Sequence, residues 1–185
     1  MAIIKTGMKR PNKSNLFDNI DLSISNHKIS SAMELMQKLS INSFPVDLKI
    51  ILQNYNIELE NTSFDNDDIS GMLIKNNEKY KVVVNQNHSQ TRKNFTIAHE
   101  LGHYFLHKDL KDKFEDRIFF RGAVSDNLEF QANIFAGELL MPEAEFKKQI
   151  QSGINTIEEL AAYFDVSTLA LRVRAKQLNL SGHGL

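Results

Sequence analysis

Three side chains in one short stretch of this 185-residue chain can do hydrolytic chemistry. They are His99, Glu100 and His103, in the run His99-Glu100-Leu101-Gly102-His103. This H-E-x-x-H spacing sets two imidazoles four residues apart, on one face of a helix, where both can point at one ion. Glu100 lies about 100° round the helix from His99, beside such an ion rather than on it. A general base for a water at the metal belongs there. Phe95, Ile97, Ala98, Leu101, Tyr104, Phe105 and Leu106 make the segment strongly apolar. The helix is therefore expected to be buried, and histidines at its centre need partners.

A catalytic zinc site takes three protein ligands and leaves the fourth position to water. His107 lies about 12 Å along the axis from His99, too far for one ion on a straight helix. Asp109 fills the last slot of the metzincin pattern H-E-x-x-H-x-x-G-x-x-H, but the glycine slot is Leu106, which continues a helix instead of turning the chain back. Glu129 is the remaining candidate. With Ala132, Asn133 and Ala136 it shares a helical face whose small residues allow another helix close. A carboxylate on a mostly apolar helix suits a His, His, Glu set. Zinc is the first choice of ion, and such sites also accept manganese or cobalt. Asn133, one turn after Glu129, can take the second ring N–H of His99 or His103, or bond a loop backbone.

The elements that must carry these residues follow from local patterns. Ser31 caps a helix through residue 39, with Ala32, Leu35, Met36 and Leu39 at helical spacing. Phe44-Pro45 opens a second helix over residues 46–54, with proline at its start. Residues 57–60 alternate as a short strand, and residues 65–68 form an acidic loop without the glycine and distal glutamate of a calcium loop. Residues 71–75 and 80–85 read as two strands of a hairpin, with Val82, Val83 and Val84 buried on both faces. The helix of His99 runs from near residue 89 to near residue 108. Residues 111–127 are charged and irregular, a flap over the cleft. Arg117 and Arg121 within it, or Tyr104, are candidates to stabilise an oxyanion.

Composition points to a small intracellular enzyme, placed in the cytoplasm. Apolar residues make up 42% of the chain, enough for a core, and the net charge of −1 gives no global pull toward nucleic acid or anionic membranes. No cysteine is present, which rules out a disulfide framework and a thiolate nucleophile. No apolar run approaches the roughly 20 residues of a membrane span. The expected organisation is an N-terminal arm over residues 1–28, a catalytic domain over 29–150 and a helix pair packed on it over 151–185. That pair, residues 157–164 and 168–178 about a tight turn with Ser167 as N-cap, resembles a helix-turn-helix, and Arg172, Arg174 and Lys176 are basic. Duplex DNA is thus a rival partner, though direct nucleic-acid binding is disfavoured by the modest charge. Docking of a protein substrate is another use for the pair.

The run from Thr91 through His99-Glu100-Leu101-Gly102-His103 to His107, followed by Glu129-x-x-Ala132-Asn133-x-Phe135-Ala136-x-x-Leu139-Leu140-Met141-Pro142, resembles the ImmA/IrrE family of metallopeptidases. The likeness covers about residues 45–180. It implies an α+β, zincin-like fold with a small antiparallel or mixed sheet, an active-site helix and a C-terminal helix-turn-helix-like pair. It further implies zinc on His99, His103 and Glu129, gluzincin-like in its downstream glutamate, with Glu100 as catalytic base. Members cleave helix-turn-helix repressors of the XRE type and so derepress mobile-element or stress genes. Peptidases of this kind bind substrate as an added β-strand near the metal. The rival expectation is a metal-containing regulatory or DNA-binding module that binds its partner without cutting it.

Overall fold

Polar side chains at the right places start the helices of this protein. A computed structural model describes residues 28–66, 68–77, 79–109, 123–154 and 156–180. Within them are seven helices: α1 (Ala32–Lys38), α2 (Leu48–Asn54), α3 (Gln90–His107), α4 (Ala123–Leu140), α5 (Glu143–Gln151), α6 (Ile157–Phe164) and α7 (Thr168–Gln177). Ser31, Asp47, Ser89, Thr156 and Ser167 each accept a backbone N–H from the first turn of the helix they precede, which satisfies a donor that has no partner inside the helix. The second helix therefore begins after Asp47, not directly at Pro45, because the aspartate supplies the cap. The expected irregular stretch over 111–127 is also corrected at its end: α4 already runs from Ala123. Polar Ser125, Asp126 and Asn127 are weak helix formers, and the apolar run that follows them carries the helix back through them.

Strands β1 (Ile57–Thr62), β2 (Gly71–Asn76) and β3 (Lys79–Asn85) make one mixed sheet in the order β1-β3-β2. The β2–β3 pair is the antiparallel hairpin expected from sequence, closed with Asn76 opposite Lys79. Asn77 takes φ 53° in its turn, a left-handed conformation that asparagine tolerates. β1 lies parallel to β3 with Leu59 beside Val82. The central strand is buried at Val82, Val83 and Val84, as its unbroken apolar run requires.

α3 packs against strands β2 and β3 and, more extensively, against α4. Gly102 makes the α3–α4 crossing tight. A Cβ there would stand 3.0 Å from Ala132 Cα, 3.1 Å from Ala132 O and 3.3 Å from Phe135 Cβ. One apolar cluster extends from Ile29 through α3 and α4 to Ala175. α6 and α7 belong to it. Phe164 stacks on Phe146 at 5.8 Å, Asn94 Nδ2 donates to Asp165 Oδ2 at 2.8 Å, and buried Arg174 donates from Nε to the Met141 carbonyl at 3.1 Å. No helix among the described residues is long and apolar enough to cross a membrane.

A candidate metal centre between two helices

The α3–α4 crossing brings His99, His103 and Glu129 together. His99 Nε2 lies 3.1 Å from His103 Nε2 and 3.1 Å from Glu129 Oε2, and His103 Nε2 lies 3.2 Å from Glu129 Oε1. The small residues of the Glu129 face and the missing side chain of Gly102 permit this approach. For ligand bonds of about 2.0–2.1 Å, a tetrahedral site needs donor atoms about 3.3–3.4 Å apart. The three donors stand at nearly that spacing, with two neutral nitrogens and one carboxylate, so they fit a borderline divalent cation such as zinc. His103 is buried, while 36% of the Glu129 side chain is exposed, so the trio opens to solvent on the α4 side.

The outer hydrogen bonds orient both imidazoles. Asn133 Oδ1 lies 3.0 Å from His99 Nδ1 and accepts its N–H, which directs the Nε2 lone pair of His99 toward the trio. The asparagine thus serves His99, one of the two histidines proposed for it. Burial works against charge on His99, but Glu129, Glu100 and Asn133 outweigh it and raise its pKa. The Glu129 carboxylate is held well below the usual range by His103 and His99, against the opposing effect of burial.

Glu100 is 7% exposed, and the main-chain amide of Leu73 in β2 lies near enough to favour its charged form. Burial raises its pKa, partly offset by His99 and His103. A buried carboxylate with a raised pKa is suited to taking a proton from water and releasing it again. The β2 contact also has a directional meaning. Ladder bonds alternate along an antiparallel strand, so an amide that reaches Glu100 belongs to the side of β2 facing away from β3. The open edge of the sheet therefore runs past the candidate base.

The remaining sequence candidates fall elsewhere. Tyr104 sits in an aromatic cluster, edge-on to Tyr80 at 4.9 Å and to Tyr55 at 6.0 Å, with Lys108 Nζ 4.3 Å from its ring centre. Arg117 and Arg121, and the flap expected around them, lie outside the described residues, as do the arm up to residue 27 and the last five residues. His107, excluded as a ligand by its distance along the axis, reaches His103 instead: Nδ1 to Nδ1 is 3.0 Å. Sequence reasoning missed Gln131, whose Oε1 is 3.1 Å from His107 Nε2. It is about 200° round α4 from Glu129, so no one-face pattern includes it.

The sequence profile of the IrrE N-terminal-like domain matches residues 52–176, which hold the whole candidate centre. The chain is 35% identical over 108 residues to a protein named Metallopeptidase ImmA from Bacillus subtilis (strain 168), covering 56% of this chain and 60% of that one. It is 34% identical over 121 residues to an uncharacterized immunity region protein 2 of Bacillus phage phi105, covering 65% of this chain and 64% of that one. The matched stretch thus spans less than two thirds of either relative.

Proposed function

Because this chain belongs to the ImmA/IrrE family of metallopeptidases, we propose that it is a zinc-dependent endopeptidase that cuts a helix-turn-helix repressor of the XRE type. The observation that carries this reading is the convergence of His99 Nε2, His103 Nε2 and the Glu129 carboxylate at 3.1–3.2 Å, with Glu100 buried beside them. Zinc held by those three residues would polarise the scissile carbonyl and acidify a water. Glu100 takes the proton of the attacking water and passes it to the leaving amine. The open edge of β2 beside Glu100 offers main-chain hydrogen bonds to an extended substrate segment.

A protein substrate is supported by the surface next to the centre. A groove of about 660 Å³ between α3, α4 and α7 is lined by Asn133 and Arg92 and by the apolar Phe130, Leu169 and Val173. These three are 59%, 70% and 51% exposed, an apolar lining that favours a protein segment over a phosphate backbone. Arg174, one of the basic residues counted toward DNA binding, is buried against Met141. The phage relative named for an immunity region supports a repressor as the partner.

The test is incubation with the helix-turn-helix repressor encoded beside this gene, read by intact mass. Wild type should give two new fragments, and Glu100→Gln should keep zinc and give none. Full cleavage by Glu100→Gln would overturn Glu100 as the base. Tight repressor binding by both proteins without new termini would favour a sequestering role instead.

A further inference from the structure

We propose that His107 and Gln131 are positioning residues that hold His103 in its metal-ligating tautomer. The inference rests on the reading of His99, His103 and Glu129 as a metal centre. Gln131 Oε1 faces His107 Nε2 at 3.1 Å. An amide oxygen only accepts, so His107 carries its proton on Nε2. A neutral imidazole has one N–H, so His107 Nδ1 presents a lone pair. His103 Nδ1 stands 3.0 Å from that lone pair and must donate to it. The proton of His103 is thereby placed on Nδ1, which leaves Nε2, the atom that faces His99 and Glu129, to give its lone pair to a cation held between them. Reversing the Gln131 amide would reverse every donor in the chain and put an N–H on the nitrogen that faces the centre.

Position supports the same role. His107 is one helical turn beyond His103 on α3, fully buried, and packed ring to ring with it at 5.1 Å. A buried imidazole whose two nitrogens both find partners along one chain is fixed in orientation as well as in tautomer. His99 has a separate support in Asn133. The two ligating histidines are thus set by two independent devices on α4, one amide each. Loss of such outer support typically lowers metal affinity 10- to 100-fold.

Two measurements test this. The first uses metal-free protein labelled with ¹⁵N in histidine, at about pH 9, where imidazoles are neutral. Long-range ¹H–¹⁵N spectra should show His103 protonated on Nδ1 in wild type and on Nε2, wholly or in part, in Gln131→Leu. Unchanged His103 signals in Gln131→Leu would overturn the proposal. The second is zinc affinity by competition with a chromophoric chelator. Gln131→Leu and His107→Phe should each lose about 10- to 100-fold, and the double variant should lose no more than His107→Phe alone. Gln131→Glu, which keeps an acceptor, should retain wild-type affinity. Additive losses, or equal affinity in all variants, would overturn the proposal. Gln131 is exposed on α4, so its variants keep the fold even where His107→Phe does not. Failure of wild type itself to bind zinc would reject the metal centre rather than the proton order, which the metal-free spectra decide separately.

Discussion

Replacing Gly102 by alanine should separate the stability of α3 from the geometry of the proposed metal centre. Taken alone, the change removes a mid-helix glycine and favours the helix by about 1 kcal/mol. The crossing opposes it. The new Cβ would meet Ala132 Cα at 3.0 Å, Ala132 O at 3.1 Å and Phe135 Cβ at 3.3 Å, and two of these are backbone atoms of α4. Carbon atoms rest at about 3.5–4.0 Å, so α4 must retreat by roughly 0.5 Å. Overpacking of this kind costs about 1–3 kcal/mol, which leaves a net loss of about 0–2 kcal/mol in the metal-free protein. For a chain of this size that is a fall in melting temperature of about 2–4 °C per kcal/mol. The effect on the centre is larger in proportion. Glu129 rides on α4 one turn from Ala132, and ligand distances tolerate only about ±0.2 Å. Zinc affinity should therefore fall by about tenfold or more, the range seen when a ligand loses its support. The assay is chelator competition for zinc beside thermal melts of the metal-free protein. If Gly102→Ala melts higher by the full helix-propensity gain and holds zinc as tightly as wild type, the close approach of the two helices does not set the site.

Further outcomes follow from other contacts. Glu129→Ala should reduce zinc affinity by at least about 10- to 100-fold in the same competition assay, and unchanged occupancy would reject Glu129 as a ligand. Zinc at one hundred times its dissociation constant should stabilise the wild type by about 2.7 kcal/mol, lost on chelation, and a melting curve indifferent to metal would count against the centre. The Glu145 carboxylate is opposed by burial, but Gln149, the Tyr163 hydroxyl and Lys148 outweigh it and hold its pKa below the ordinary value of 4.5. Its contribution should be whole above that value and vanish as pH falls through the lower folded one. Metal-free Glu145→Gln should thus melt below wild type at pH 7 and level with it near the acid limit. Arg174→Met should cost about 1–3 kcal/mol by leaving the Met141 carbonyl without its donor, and wild type should show no salt-sensitive, metal-independent shift of duplex DNA.

The parts of this molecule legible in its sequence are those fixed by short-range rules. Ser89 as a cap, the extent of α3 and the hairpin over Asn77 all follow from neighbours a few residues apart. The face of small residues beside Glu129 goes further, because it states in advance that another helix comes close there. What pattern could not supply is the partner of each element. Nothing in the alternation of residues 57–60 says that β1 lies parallel to β3, and nothing around Leu73 says that its amide meets Glu100. Both depend on how the sheet edge passes α3, a property of the whole packing. Gln131 belongs to the same class. Its long side chain reaches back from the exposed side of α4 to a histidine that ligand geometry alone excludes.

These two gaps meet at the proposed metal centre and bear on what its histidines and the proposed base, Glu100, require. A cation needs lone pairs, and a bare H-E-x-x-H helix does not determine which nitrogen of each ring carries the proton. On α3 alone, His99 and His103 would each sample both tautomers, and three of the four combinations offer at least one N–H to the site. α4 removes that freedom with Asn133 on one ring and with Gln131, acting through His107, on the other. The motif supplies the chemical groups, and the second helix supplies the protonation and aim of the two rings. A transplant of the α3 segment without α4 should therefore retain the spacing of His99, Glu100 and His103 and lose most of the metal affinity, since it lacks Glu129 as well as the amides that set the direction of both rings.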